Sequence, residues 1–180
     1  MKRQIRNGVF ETNSSSTHSI AISKKSVVIG KSIRFGIGEF GWENGCADTA
    51  DYLYTAILDR DDRDDLLDRL KKILDNYSIE YEFEEPSWHD SAIGDDKWLE
   101  YGYIDHSYEL KEFLNVILSN EDLLMRYLFG DSTVYTGNDN QDGDPSGCLI
   151  AKKEYWDWDG KMHPNPYHDS ENYDYFYKGN

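Results

Sequence analysis

Residues 48–77, DTADYLYTAILDRDDRDDLLDRLKKILDNY, predict two consecutive helices and thereby restrict the fold class. In the first half, apolar residues recur every three or four positions, and Asp48 or Thr49 precedes them as an N-cap. In the second half, from Asp64 to Tyr77, leucine and isoleucine residues repeat the same spacing. The intervening residues 61–63 break the pattern, so we expect two helices rather than one.

A second pair of helices is predicted over residues 107–118 and 121–129, the latter capped by Ser119 or Asn120 and ended by Gly130. Strand-like segments lie around the two pairs, at 26–30, 33–42, 79–83, 99–104, 133–135 and 148–151. Residues 84–97 and 137–147 are expected to be loops. Paired helices favour an α+β fold with a mixed or antiparallel sheet and about four helices packed on one side, because single βαβ crossovers are missing.

The length of 180 residues fits a single domain over 1–180, with a tail rich in aromatic and acidic residues from about residue 155. The two cysteines, Cys46 and Cys148, lack zinc-ligand spacing and are expected to be free thiols, although a disulfide between them stays open. We find no signal-peptide pattern and no apolar run of bilayer length, which predicts a cytoplasmic protein. No cofactor and no metal site are expected.

The charge is strongly negative and unevenly distributed. The net charge is −16 and the isoelectric point about 4.5, which disfavours direct binding to nucleic acid or to an anionic membrane. Residues 1–35 carry seven basic residues against one acidic residue, a net charge of +6, which leaves −22 on the rest of the chain. One hypothesis is that the basic segment 1–35 docks on the acidic remainder of the chain. The other is that this acidic remainder binds a basic partner, and the two hypotheses are compatible.

The most polar segment of the N-terminal region is FETNSSSTHS, residues 10–19. Its hydroxyl, amide and backbone N–H groups suit a loop that holds a phosphate or carboxylate. The ligand-binding residues on this hypothesis are Arg6, Glu11, Asn13, Ser14, Ser15, Ser16 and His18. If the protein is an enzyme, His18 is the general acid or base and Ser15 or Ser16 the nucleophile, although no G-x-S-x-G elbow is present. The alternative is a structural loop whose side chains bond their own backbone.

Two other motifs are incomplete. The glycines at 36, 38 and 41 spell G-x-G-x-x-G, but no helix follows and Glu39 would meet a pyrophosphate, so a glycine-interrupted strand is expected. Residues 138–143 resemble the start of a calcium loop, but its twelfth position is Leu149 rather than glutamate, which excludes an EF-hand.

Residues 6–19, RNGVFETNSSSTHS, resemble the N-terminal signature of a group of proteins from bacteriophages and Gram-positive bacteria. Residues 39–42 (EFGW) and 136–140 (TGNDN) resemble further parts of that group. The resemblance carries no defined activity. Its phage association implies a role in infection, including inhibition of a host defence system such as CRISPR.

Acidic residues are concentrated at the start of the second helix and between the aromatic residues of the C-terminal segment. Such an acidic and aromatic surface suits the basic groove of a nucleic-acid-binding protein, which charge would help to steer into place. The partner-binding residues on this hypothesis are Asp61, Asp62, Asp64, Asp65, Trp156, Asp157, Trp158 and Asp159. We therefore expect a binding protein in the host cytoplasm that engages a bacterial protein with a basic surface, such as a defence nuclease. The alternative is an enzyme or ligand-binding protein that holds a phosphorylated small molecule in loop 13–18.

Overall fold

A four-stranded antiparallel sheet with helices packed against it forms the frame of the molecule. The structure, a computed structural model, describes residues 16–41, 45–90, 97–105, 110–138, 153–156, 160–166 and 168–179. The helices in these ranges are α1 (Thr49–Leu58), α2 (Arg63–Asn76), α3 (Lys111–Ile117) and α4 (Glu121–Phe129). Four helices with an antiparallel sheet and further short strand pairs confirm the α+β fold class.

The main sheet has the strand order β12-β1-β9-β4. Its strands are β1 (Ser16–Ser23), β4 (Gly45–Ala47), β9 (Thr133–Asn138) and β12 (Tyr173–Gly179). Strand β1 lies between β12 and β9, and all of these pairs are antiparallel. The end of the predicted aromatic and acidic tail is therefore a strand of the main sheet, next to the strand that begins in the serine-rich segment.

The other strands form two-stranded pairs. They are β2 (Ser32–Phe35), β3 (Glu39–Phe40), β5 (Glu80–Phe83), β6 (Trp88–Asp90), β7 (Lys97–Leu99), β8 (Tyr103–Ile104), β10 (Glu154–Trp156) and β11 (Met162–Pro164). The β2–β5 and β3–β8 pairs are parallel, whereas β6–β7 and β10–β11 are antiparallel. The parallel pairs make the set of sheets mixed.

Helix α1 is the centre of the core. The Asp48 side chain accepts hydrogen bonds from the backbone N–H groups of Ala50 (2.9 Å) and Asp51 (3.2 Å), which confirms the predicted cap. Seven consecutive residues from Tyr52 to Leu58 are buried, not only the predicted apolar face. The reason is that α1 contacts strands on one side and the three other helices elsewhere, so little of its surface meets solvent.

The glycine-containing segment between β2 and β3 is attached to α1. The backbone N–H of Gly36 donates to a carboxylate oxygen of Asp51, and that of Gly38 donates to the Thr55 hydroxyl. Because these two N–H groups already have partners in the protein, they are not available to cradle a phosphate. The predicted strand over 33–42 is correspondingly interrupted between Phe35 and Glu39.

Three predicted elements are wrong. Residues 26–30 do not form a strand: Val28 is 93% exposed, while Val27 and Ile29 reach the core from irregular backbone. The predicted loop over 84–97 contains β6, which pairs with β7, because Trp88 packs against the core. Residues 16–18 of the predicted loop over 13–18 belong to strand β1, which begins at Ser16. Strand 148–151 lies outside the described residues, and so does nearly all of loop 137–147.

Candidate functional site

His18 lies within β1 and is buried. In register it stands opposite Gly179 of β12 and Thr136 of β9, and only 1% of its surface is exposed. Ser16, two residues earlier on the same strand face, is equally buried. A central strand that is covered on both faces thus carries two of the predicted polar side chains into the interior.

One ring nitrogen of His18 faces a backbone carbonyl. Its Nε2 lies 2.6 Å from the carbonyl oxygen of Asp105, the residue that follows β8. A carbonyl oxygen accepts hydrogen bonds and never donates, so Nε2 carries the proton and donates it. The Ser16 hydroxyl donates to the same carbonyl oxygen at 3.0 Å, and its Oγ lies 3.1 Å from Nε2.

The other ring nitrogen faces α1. The Tyr52 hydroxyl lies 3.0 Å from His18 Nδ1. Burial, with smaller contributions from Tyr127 and Tyr177, raises the pKa of Tyr52 well above its ordinary value, so this hydroxyl is protonated near neutral pH. In the neutral ring with its proton on Nε2, Nδ1 is the acceptor of the Tyr52 hydroxyl proton. His18 therefore connects β1 both to α1 and to the segment after β8.

Gly41 closes one side of this cluster. Its φ of +107° lies in a region that residues with a Cβ rarely adopt. A Cβ built on Gly41 would lie 2.9 Å from the Asp105 Cβ, and 3.2 Å from both the His18 Cε1 and the Ser16 Cβ. A side chain at this position would therefore clash with Asp105 and crowd the His18 ring and Ser16. We call Ser16, His18, Gly41, Tyr52 and Asp105 the histidine cluster.

The histidine cluster has the chemistry of a structural connection. A serine nucleophile needs a neighbouring base nitrogen that is free to accept its proton. In this arrangement Nε2 already carries a proton, and the Ser16 proton points to the Asp105 carbonyl. The geometry thus favours the structural interpretation of Ser16 and His18 over the nucleophile–base hypothesis.

Several predicted site residues lie outside the described part of the chain. They are Arg6, Glu11, Asn13, Ser14, Ser15, Asp157, Trp158 and Asp159. Trp156 belongs to β10 and pairs with Met162 of β11. The anion-holding loop and the acidic tail surface therefore stay predictions, with Ser16 and His18 placed at the loop's C-terminal border.

The predicted acidic residues around α2 come together on the surface. We call Asp61, Asp62, Asp64, Asp65 and Asp68 the acidic corner; all five are exposed. Asp62 is at the N-cap position but makes no side-chain cap bond, and it forms a salt bridge with Arg60 at 3.5 Å. Within the described ranges, the other four carboxylates have no salt bridge. Salt bridges in this part of the chain therefore neutralise only one of the five carboxylates.

Sequence reasoning did not find three members of the histidine cluster. Tyr52 is an ordinary helical tyrosine by spacing, and Asp105 contributes its backbone carbonyl, which any residue could supply. Gly41 was noted as part of a glycine pattern but not as a neighbour of His18. Of the cluster, only Ser16 and His18 could be singled out from the sequence as candidate site residues, because a hydroxyl and an imidazole lie close together in the serine-rich segment.

Comparison of the chain with protein-family models, with curated proteins and with solved structures gives no match. In the described ranges, no cluster of three His, Cys, Asp or Glu side chains is arranged to hold a metal ion. The helices of those ranges are all too short or too polar to cross a bilayer. Cys46 is a free, exposed thiol, and Cys148 lies outside the described residues.

Proposed function

We propose that this protein is a non-catalytic binding protein whose acidic corner engages a basic surface on another protein. The observation that carries the proposal is that four exposed carboxylates, those of Asp61, Asp64, Asp65 and Asp68, lie within two helical turns without a basic partner in the described ranges. Like charges so close together repel one another, and a basic partner would relieve that repulsion.

The stability of α2 accounts for only part of this charge. Asp64 and Asp65 lie in the first turn and interact favourably with the helix dipole. Asp61, directly before the N-cap, also gains from the dipole, whereas Asp68 lies beyond the first turn and gains little. A binding role for the acidic corner would explain the negative charge that helix stability does not require.

The nature of the partner follows from the sequence resemblance. Proteins of phages and Gram-positive bacteria that share the N-terminal signature suggest a bacterial partner. A groove that normally holds nucleic acid is the basic surface best suited to the acidic corner. Its cations are arranged to bind a row of phosphates, and closely spaced carboxylates can take the place of those phosphates. We infer a bacterial nucleic-acid-binding protein, such as a defence nuclease, which this protein inhibits in the host cytoplasm.

The structure of the histidine cluster supports binding over catalysis. His18 and Ser16 are both buried and hydrogen-bonded within the protein, so the proposal does not use them as reacting groups. Binding should therefore depend on the acidic corner and not on the imidazole chemistry of His18.

The proposal is tested by displacement of DNA. Partners are captured on the immobilised protein from bacterial lysate at low salt, purified, and loaded with a fluorescent DNA oligonucleotide. The protein should then displace the oligonucleotide, and raising the salt from about 50 to 500 mM should abolish the effect because screening shortens the range of the attraction. The test variant replaces four aspartates with asparagine: Asp61→Asn, Asp64→Asn, Asp65→Asn and Asp68→Asn.

The control variant makes the same change in net charge elsewhere on the exposed surface. It carries Glu80→Gln, Glu82→Gln, Glu85→Gln and Glu154→Gln. We expect the test variant to lose at least about tenfold in displacement, or about 1.4 kcal/mol, and the control to lose no more than about threefold. An equal loss in both variants would mean that total charge alone attracts the partner. Displacement that resists salt would also refute the proposal.

A further inference from the structure

A groove of opposite character lies between α3 and β12. Its volume is about 900 Å³, and its walls carry Lys111, Asn115 and Ser119 from the α3 segment and Tyr177 and Lys178 from β12. On a chain with a net charge of −16, the lining carries the ammonium groups of Lys111 and Lys178 against one carboxylate, that of Glu112; the Lys178 ammonium also donates to the Gly179 carbonyl at 3.0 Å. We propose that the groove binds an extended acidic peptide segment of another protein.

The positive charge extends along the length of the groove. Lys111 lies at one end, and the hydroxyl of Ser119 at the other accepts a hydrogen bond from the Arg69 guanidinium at 2.9 Å. In the described ranges neither Lys111 nor Arg69 has a carboxylate within 4.0 Å. Glu112 is an acidic residue of the lining, so the cationic groups near the groove outnumber the carboxylate.

The spacing of these groups selects an extended chain. Lys111 and Asn115 lie four residues apart on α3, and Ser119 lies two residues beyond its end; at 1.5 Å per residue, Lys111 and Ser119 are roughly 12 Å apart. An extended peptide advances about 3.3 Å per residue, so acidic side chains four residues apart span roughly the same length. A peptide with Asp or Glu at positions i and i+4 would thus place one carboxylate near Lys111 and one near Arg69.

The openness of the groove favours a peptide over a small molecule. Small ligands bind in clefts that enclose most of their surface, whereas this groove runs across the surface between a helix and a strand. The half-buried Tyr177 ring and Val116 add apolar contact area for the stem of an extended chain. This surface is separate from the acidic corner, and its proposed ligand has the opposite charge.

The test uses a fluorescein-labelled peptide of eleven residues in a Thr- and Val-rich background, with two Glu residues four positions apart. Two control peptides carry Gln at those positions, or two adjacent Glu residues. Fluorescence anisotropy with the full chain at low salt should show the spaced peptide binding at least about tenfold more tightly than either control. Equal binding of the spaced and adjacent peptides would refute the length match, and equal binding of the Gln peptide would refute the charge match.

Protein variants locate the binding surface. Lys111→Gln with Arg69→Gln should weaken binding of the spaced peptide about tenfold, whereas the charge-matched control Lys72→Gln with Lys153→Gln should change it less than about threefold. Equal losses would overturn the proposal. Inorganic triphosphate that binds more tightly than the peptide would assign the groove to a phosphate ligand instead. If the chain dimerises, the groove variant abolishes the dimer and no peptide binds, the groove is assigned to a second copy of the chain. Either of these two results would refute the proposal of a peptide ligand.

Discussion

The Nε2 atom of His18 donates a hydrogen bond to the carbonyl oxygen of Asp105, 87 residues further along the chain, at a distance of 2.6 Å. Together with the bond between Nδ1 and the Tyr52 hydroxyl, it uses both nitrogens of a buried ring. The serine-rich segment, for which the sequence leaves structural, anion-binding and catalytic roles open, thereby ends in a connection that holds three elements together.

Loss of the His18 ring should destabilise the fold. His18→Ala leaves a cavity and removes the partner of two buried polar groups, so the free energy of unfolding should fall by about 2–4 kcal/mol. Tyr52→Phe should cost about 1–2 kcal/mol, since it leaves Nδ1 without its donor. Urea unfolding of both single variants and the double variant gives the coupling energy, which we expect to be above about 0.5 kcal/mol. Additive losses, with no coupling, would argue against the bond.

Gly41 should not tolerate a side chain. Gly41→Ala combines an unfavourable φ with contacts of 2.9 to 3.2 Å on three members of the histidine cluster, so we expect a loss of about 2–4 kcal/mol. Gly160 has a φ of +71° but open space around its Cβ position, so Gly160→Ala should cost about 1 kcal/mol from the backbone alone. Gly45→Ala has neither problem and should be nearly neutral. Thermal unfolding should rank the three in that order; a Gly41 variant as stable as the Gly45 variant would contradict the close packing.

Arg126 should be important for joining α4 to the main sheet. One of its guanidinium nitrogens, Nη1, donates to the Ser23 carbonyl at 2.7 Å and to the Asp174 carboxylate at 2.8 Å, and only 13% of its side chain is exposed. Lysine has a single nitrogen in place of the Nε that bonds Asp122 and the Nη1 that bonds Ser23 and Asp174, so Arg126→Lys should lower the free energy of unfolding by about 1–3 kcal/mol. Asp122 is 79% exposed and also pairs with Arg126, four residues away, so Asp122→Asn should cost only about 0.5 kcal/mol. Equal costs, measured by urea unfolding, would show that the bonds to β1 and β12 add nothing.

Alkaline pH should unfold the protein through its buried tyrosines. Burial raises the pKa of Tyr52 and of Tyr127 well above 10, the ordinary value, so these groups lose their protons in the unfolded chain first. The contribution of each tyrosine to the free energy of unfolding is fully present below pH 10. Above pH 10 it falls by up to about 1.4 kcal/mol per pH unit for each group. Urea unfolding from pH 8 to 11, followed alongside tyrosinate absorbance, measures the slope.

Tyr127→Phe is the control for this pH effect. The Tyr127 hydroxyl is buried and has no hydrogen-bond partner in the part of the chain that the structure describes, so its removal should be neutral or slightly stabilising at pH 7. Above pH 10, the same variant should reduce the pH dependence of the free energy of unfolding by the amount expected for one titrating group, about 1.4 kcal/mol per pH unit. An unchanged slope would mean that Tyr127 ionises without unfolding.

The sequence predicted the helices more accurately than the strands. The apolar spacing and the cap residues Asp48 and Asn120 are local signals, and helices α1 and α4 begin where these signals place them. Strand signals are weaker because a strand is defined by its partner: residues 26–30 are apolar but have no partner strand, and residues 88–90 pair across a predicted loop. The α+β class follows from the order of elements, which single errors in strand assignment do not change.

The amino-acid sequence by itself determined the four helices, the fold class, the acidic character of the protein and the polar residues that lead into β1. These depend on composition and on patterns within a few residues of the chain. Only the tertiary structure decided that His18 meets Tyr52 and the Asp105 carbonyl, that β12 pairs with β1, and that Lys111 faces the same groove as Lys178. The physical reason is that these contacts join residues 34 to 161 positions apart, and the packing of the whole core, rather than any local preference, brings them together.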